Sequence, residues 1–274
     1  MKIRLWGVRG SLPTPEKDKM EVGGQTTCIE ARLDDGTIMI FDARTGIIPL
    51  GKALLKEFHG KKMPKLHLFL THTHWDHIYG FPFFPPAFRA QTEIIVYGPI
   101  KTNRSLEELI IAEMDFDYCP VRFSQLPARI TFIELEEQRF ELSKGIFLEA
   151  KGHLHPGGAY SYRVEADGKI FVLNTDTEHY PSQLDERIVH ISRNADFMIH
   201  DAQYTDQELE HHIGWGHSSW SQSIEVAKRA NVKYLGLTHH DPERTDAQIF
   251  AMEKEAQKHF KNLFFCREGM LISL

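Results

Sequence analysis

The sequence predicts an α/β protein in which two sheets pack together under covering helices. Three observations carry that expectation. Short β-like runs fill the first third of the chain and recur through the remainder. Helical stretches close each portion of the chain after its strands. The 274 residues, 42% of them hydrophobic, suffice to bury a large core in one domain spanning residues 1–274.

Strands are expected at Ile3–Val8, Thr26–Leu33, Thr37–Phe41 and Leu66–Thr71. The last is nearly all apolar, as a strand covered on both faces would be. Between them a helix through Pro49–Phe58 places Leu50, Leu54, Leu55 and Phe58 on one stripe. Further strands follow at Glu93–Tyr97, Ile130–Leu135, Ile146–Ala150, Ala159–Glu165, Lys169–Asn174, Phe197–Ile199, Tyr234–Thr238 and Leu263–Cys266. Three helices are announced by capping boxes: Ser105 with Glu108, Ser219 with Gln222, and Thr245 with Gln248. Residues 81–128 open with the run Phe81–Phe88, rich in phenylalanine and proline. They read either as a proline-stiffened core connection or, more sharply, as an aromatic lid insertion beside a pocket.

Charge and cysteine usage exclude several classes. Lys and Arg number 32 against 38 Asp and Glu, a formal charge of −6, which disfavours a long nucleic-acid partner. Hydrophobicity is too high for disorder. No apolar run is long enough for a signal segment or a membrane span. Cys28, Cys119 and Cys266 are far apart and form no disulfide framework. A reducing cytoplasm is therefore expected, with each cysteine a small buried apolar residue. Nothing speaks against a homodimer.

Histidine is the anomaly, at sixteen residues. His72, His74, Asp76 and His77 form an H-x-H-x-D-H pattern directly after the apolar strand, with the ligand chemistry of zinc and related first-row cations. His59, His67, His190 and His259 have no such company and read as structural or exposed.

With this motif the chain resembles the metallo-β-lactamase superfamily over essentially its whole length. The resemblance implies a four-layer αββα sandwich with a dinuclear metal site along one sheet edge. Position by position, it assigns His72, His74 and His155 to one metal, and Asp76, His77 and His239 to the other, with Asp176 and a hydroxide bridging. Zinc or manganese is expected ahead of iron. His153 stays open as an alternative to His155, and His240 to His239. Asp42, after an early strand, matches the residue that contacts the metal loop from behind. Arg44 stands where close relatives usually carry glycine. It is read either as tolerated by the turn or as an anion clamp.

The reaction is read from residues 200–220. His200-Asp201-Ala202-Gln203 and Gly216-His217-Ser218 resemble segments of the phosphodiesterase branch, which includes ribonuclease Z. There the carboxylate orients the histidine and the histidine assists the leaving group. Asp76, His217 and Asp201 are the candidate catalytic residues on this likeness. No Gly/Lys/Arg-rich insertion is present to grip a polyanion. Gly-rich turns at Gly7–Pro13 and Gly23–Thr27 are equally readable as phosphate-binding or simply tight. The expected function is hydrolysis of a small phosphodiester, with a cyclic nucleotide as one candidate. A lactone or thioester hydrolase is the second enzyme reading, and a metal-holding sensor without turnover the third.

Overall fold

The computed structural model describes residues 1–180 and 182–274. Its first sheet contains β1 (Lys2–Gly7), β2 (Cys28–Arg32), β3 (Ile38–Phe41), β4 (Leu66–Phe69), β5 (Glu93–Pro99) and β6 (Arg129–Leu135). The second contains β7 (Gln138–Ser143), β8 (Ile146–His153), β9 (Ala159–Ala166), β10 (Lys169–Asn174), β11 (Phe197–Asp201), β12 (Tyr234–Thr238) and β13 (Leu263–Phe265). The last strand, β14 (Leu271–Ser273), returns to pair with β1. Each sheet thus has seven strands, ordered β14-β1-β2-β3-β4-β5-β6 and β13-β12-β11-β10-β9-β8-β7. Helices α1 (Ile47–Glu57), α2 (Trp75–Ile78), α3 (Leu106–Glu113), α4 (Glu186–Ile191), α5 (Asp206–Leu209), α6 (Trp220–Arg229) and α7 (Asp246–Ala256) complete the chain. This is the expected sandwich.

Burial explains why the central strands read as continuous apolar runs. In β3, Met39 and Phe41 join the core between the sheets, while Ile38 and Ile40 join a second core under α1. A period of two on a strand with both faces covered leaves no polar position. The inter-sheet core is aromatic at its centre. Phe41 stacks on Phe69 at 5.5 Å and meets Phe171 at 5.8 Å, while Phe69 packs edge-on to Tyr162 at 5.6 Å. Burying each such ring is worth roughly 1.5–3 kcal/mol. Tyr162 also donates to the Leu70 carbonyl at 2.7 Å, a hydrogen bond from one sheet to the other.

All three expected capping boxes are formed, and a fourth joins Thr205 to Glu208 at α5. The strands that sequence missed, β7 and β14, each lie at the edge of a sheet. Their side chains alternate between half-buried and exposed, so neither shows an apolar run. Residues 81–128 correct the lid expectation. Strand β5 lies within them and pairs with both β4 and β6, so the stretch is no single insertion. Phe81 and Phe84 are fully buried in the α1 core, whereas Phe83, Phe88, Phe116 and Tyr118 are exposed. The three cysteines are free and buried. Among the described residues no helix is long and apolar enough to cross a membrane.

Two histidines outside the metal loop, His240 buried and His67 half-buried, make the fold acid-sensitive. Burial pushes His240 down to about 3, and burial with the Lys65 charge pushes His67 down to about 4. The folded chain therefore resists protonation that the unfolded chain accepts near pH ~6.5. Their stabilisation is complete above that pH and is lost as pH falls towards 4, by up to about 1.4 kcal/mol per pH unit for each histidine. Urea midpoints measured from pH 7 to pH 5 should fall steadily. A flat midpoint would show that neither imidazole stays neutral in the fold.

Candidate metal centre

Strands β3 to β6 run parallel, as do β10 to β13, so their carboxyl ends carry loops to a common edge. Ligands of open α/β sheets collect at such ends. Three residues there hold left-handed backbone within two positions of a strand's end: Asp42 (φ 62°), Asp176 (φ 53°) and His239 (φ 62°). Non-glycine residues in this region cost about 1–3 kcal/mol each and persist where the surroundings enforce them. All three belong to the site.

His72, His74 and His155 converge. His74 Nδ1 lies 2.9 Å from His72 Nε2 and 3.1 Å from His155 Nε2. The His155 Nδ1–H donates to the Gly216 carbonyl at 3.0 Å, which leaves the Nε2 lone pair facing the cluster. Burial holds His72 and His155 below the usual histidine range, so both are neutral near pH 7. His74 is exposed and leaves one side open to solvent. Three imidazoles around an open position suit a first-row divalent cation. Gly216 is required behind them, since its φ is 90° and a Cβ there would lie 2.1 Å from His155 Nδ1.

The alternative histidines make hydrogen bonds of their own. His153 donates from Nε2 to the Asp176 carbonyl at 3.0 Å and accepts at Nδ1 from Ser161 at 3.0 Å. His240 donates to the Cys266 carbonyl at 2.8 Å and stacks on Phe265. Both nitrogens of His153 and the Nε2 of His240 are thus engaged.

Asp76, His77, Asp176 and His239 also come together, with ligand atoms within 4.8 Å of one another. The Arg44 guanidinium, fully buried, lies among them. Its Nη1 is 2.6 Å from Asp76 Oδ2, and its Nη2 donates to Asp176 Oδ2 at 2.8 Å and to His77 Nε2. Burial alone would raise the Asp176 pKa, but Arg44 and the neighbouring histidines hold it well below the usual carboxylate range. The His77 Nδ1–H donates to Asp42 Oδ2 at 2.9 Å, and Asp42 accepts from Thr71 Oγ1 at 3.0 Å. The Nε2 lone pair of His77 is thus used by Arg44. A second cation at this cluster would compete with the guanidinium for the same carboxylate and imidazole lone pairs.

Beside the centre, His217 Nδ1–H donates to Asp201 Oδ2 at 2.9 Å, and the ring stacks on His239 at 4.6 Å. Burial opposes charge on His217, yet the Asp201 carboxylate raises it above the ordinary histidine value. The shorter aspartate arm reaches because Asp201 lies at the end of β11, fully buried. Sequence reasoning missed Thr71, which backs Asp42, and Gln203, whose Oε1 accepts from His239 Nδ1 at 2.9 Å. Both sit next to motif residues, where adjacency was the available signal. A cleft of about 470 Å³ is lined by Trp75, which stands between His74 and Asp76 in the chain, with Tyr79, Phe83 and Tyr118.

The β-lactamase superfamily domain matches residues 37–240. Ribonuclease Z of Staphylococcus carnosus is 24% identical over 97% of this chain and 96% of its own. Ribonuclease Z of Archaeoglobus fulgidus is 25% identical over 100% and 97%. Among solved structures, the metallo-β-lactamase fold protein YhfI from Bacillus subtilis superposes with a TM-score of 0.72 at 18% identity, covering 99% and 98%. A diphosphatase of the PhnP family gives 0.69 at 16%, covering 100% and 97%.

If the triad is the metal site, His155→Ala should abolish bound zinc or manganese while His153→Gln retains it. Elemental analysis of the two dialysed variants separates them, and the reverse pattern would exchange their roles.

Proposed function

The chain belongs to the β-lactamase superfamily, and from that premise we propose that it is a metal-dependent hydrolase of a small phosphodiester. The observation that carries this reading is the Asp201–His217 pair at the metal triad, with the His155 and His217 ring centroids 5.9 Å apart. Asp201 fixes the His217 tautomer, so the remaining nitrogen, Nε2, is the one available to a substrate. Burial opposes charge on this imidazole, but the Asp201 carboxylate raises its pKa above the ordinary value and so favours the protonated form. A divalent cation held by His72, His74 and His155 would polarise a phosphoryl oxygen and make water a better nucleophile. As water attacks phosphorus and the P–O bond breaks, His217 donates its Nε2 proton to the departing alkoxide. Solvent restores it.

Substrate size is argued from what surrounds the centre. The net charge is −6, and Lys61 and Lys62 line a different cleft beside His59 and Arg89. The alignment with the S. carnosus enzyme runs over 316 positions, of which this chain of 274 residues leaves about 50 unfilled. A basic arm to grip a polyanion is missing from the sequence. In its place Trp75, Phe83 and Tyr118 offer exposed rings, and a stacked base gains roughly 1–3 kcal/mol on such a surface.

With zinc or manganese supplied, the protein should hydrolyse bis(p-nitrophenyl) phosphate and a cyclic nucleotide while leaving a lactone, a thioester and a precursor tRNA untouched. Turnover of the lactone or thioester alone would overturn the phosphodiester reading, and cleavage of the tRNA would overturn the size limit. General acid catalysis is worth about 10²–10⁴-fold, so His217→Ala should lose that much on an alkyl diester and retain its metal. The loss should shrink with a p-nitrophenol leaving group, and Asp201→Asn should show a weaker form of it. A variant that loses metal instead would make His217 a ligand or scaffold residue.

A further inference from the structure

We infer that the Arg44 guanidinium takes the place of a second divalent cation, so that this chain holds one such ion per copy beside a permanent organic one. The inference rests on the triad being a metal site and concerns the neighbouring cluster. Two carboxylates and two imidazoles, buried and facing one another, need a positive charge at their centre. Arg44 supplies it. Its planar fork reaches Asp76 at 2.6 Å through Nη1 and Asp176 at 2.8 Å through Nη2, and Nη2 also donates to His77 Nε2. Three of the four donor groups are therefore engaged by one side chain. Among the described residues His239 Nε2 is the one buried ligand atom of this cluster without a hydrogen-bond partner, while Arg44 Nε also lacks one and Arg44 Nη1 meets Asp76 as an ion pair.

Displacement of Arg44 by an incoming ion is disfavoured on two counts. The guanidinium has no exposed surface, and the loop that carries it is pinned on both sides. Gly46 N–H donates to the Thr26 carbonyl at 3.2 Å, Ala43 N–H donates to the His77 carbonyl at 2.9 Å, and Ile47 N–H donates to the Arg44 carbonyl at 3.0 Å. A guanidinium leaving this place would shed two carboxylate partners, and a buried charge stripped of its partners is strongly destabilising. The backbone does not object to the side chain either, since Arg44 is not among the residues with positive φ. Position 44 thus accepts an arginine without strain and directs it inward. A side chain tolerated by the turn and a charge placed at the site are the same residue.

The arrangement differs from a metal pair in kind. A guanidinium cannot exchange, offers no open coordination position and cannot be removed by a chelator. It would hold Asp76, His77 and Asp176 in place whether or not an ion sits in the triad.

The test is a titration of metal-free protein with Zn²⁺ alone, followed by calorimetry and native mass spectrometry, with no substrate involved. The wild type is expected to take close to one equivalent per chain. Arg44→Gly, which frees the lone pairs of Asp76, His77 and Asp176, is expected to take close to two, and Arg44→Met should do the same with the aliphatic stem kept. Circular dichroism and thermal melting establish that each variant is folded, so the two routes cover one another. Adding His239→Ala to Arg44→Gly should weaken the second equivalent and spare the first. A wild type that takes two equivalents of similar affinity overturns the inference and leaves the triad intact. Folded Arg44→Gly and Arg44→Met that both stay at one overturn it as well. A wild type that takes none overturns the triad along with it.

Discussion

Two buried carboxylates, one from each sheet, hold the functional edge of this protein in register. Asp42, following β3, accepts from the Thr71 backbone N–H at 2.8 Å, from the Thr71 hydroxyl and from the His77 ring. Asp201, ending β11, accepts from the Asp176 N–H at 3.2 Å, the Ser218 N–H at 3.0 Å and the His217 ring. Each ties the loop of a neighbouring strand to its own and orients one histidine. Fully buried acceptors of this kind are costly if left unpaired, so the loops are obliged to close on them. The metal triad, the Arg44 cluster and His217 all hang from that obligation.

Much of this was legible from residue order alone because the chemistry is local. His72, His74, Asp76 and His77 occupy one strand-to-loop junction, and no structural role calls for such a density of imidazole. The capping boxes were equally local, each a pair of residues three positions apart. Edge strands β7 and β14 were not legible, since half-exposed strands dilute the apolar pattern that reveals buried ones.

Arg44 shows where sequence reading stops. Position 44 could be marked as unusual, but whether its side chain turned outward or inward depended on partners 32 and 132 residues away, Asp76 and Asp176. His155 and His153, two residues apart, likewise differ in partners that lie far along the chain, Gly216 for the one and Asp176 for the other. Residues 81–128 illustrate the reverse error. Composition alone grouped Phe84 with Tyr118, though one is fully buried in the core and the other lies on the surface. Aromatic content does not say which face of the chain is covered.

The hydrogen bond from Tyr162 to the Leu70 carbonyl crosses between the sheets two residues before His72, and the Tyr160 N–H donates to the Thr71 carbonyl at 2.8 Å beside it. His72 and His74 hang from the first sheet, and His155 from the second. The distance between His74 and His155 is therefore a measure of how the two layers are aligned. A slip of one sheet over the other, produced by repacking Phe41 or Phe171 in the core, would widen or narrow the triad by a comparable amount. Ion preference in this fold can then drift through substitutions that never touch a ligand, with the aromatic interior acting as the adjusting screw.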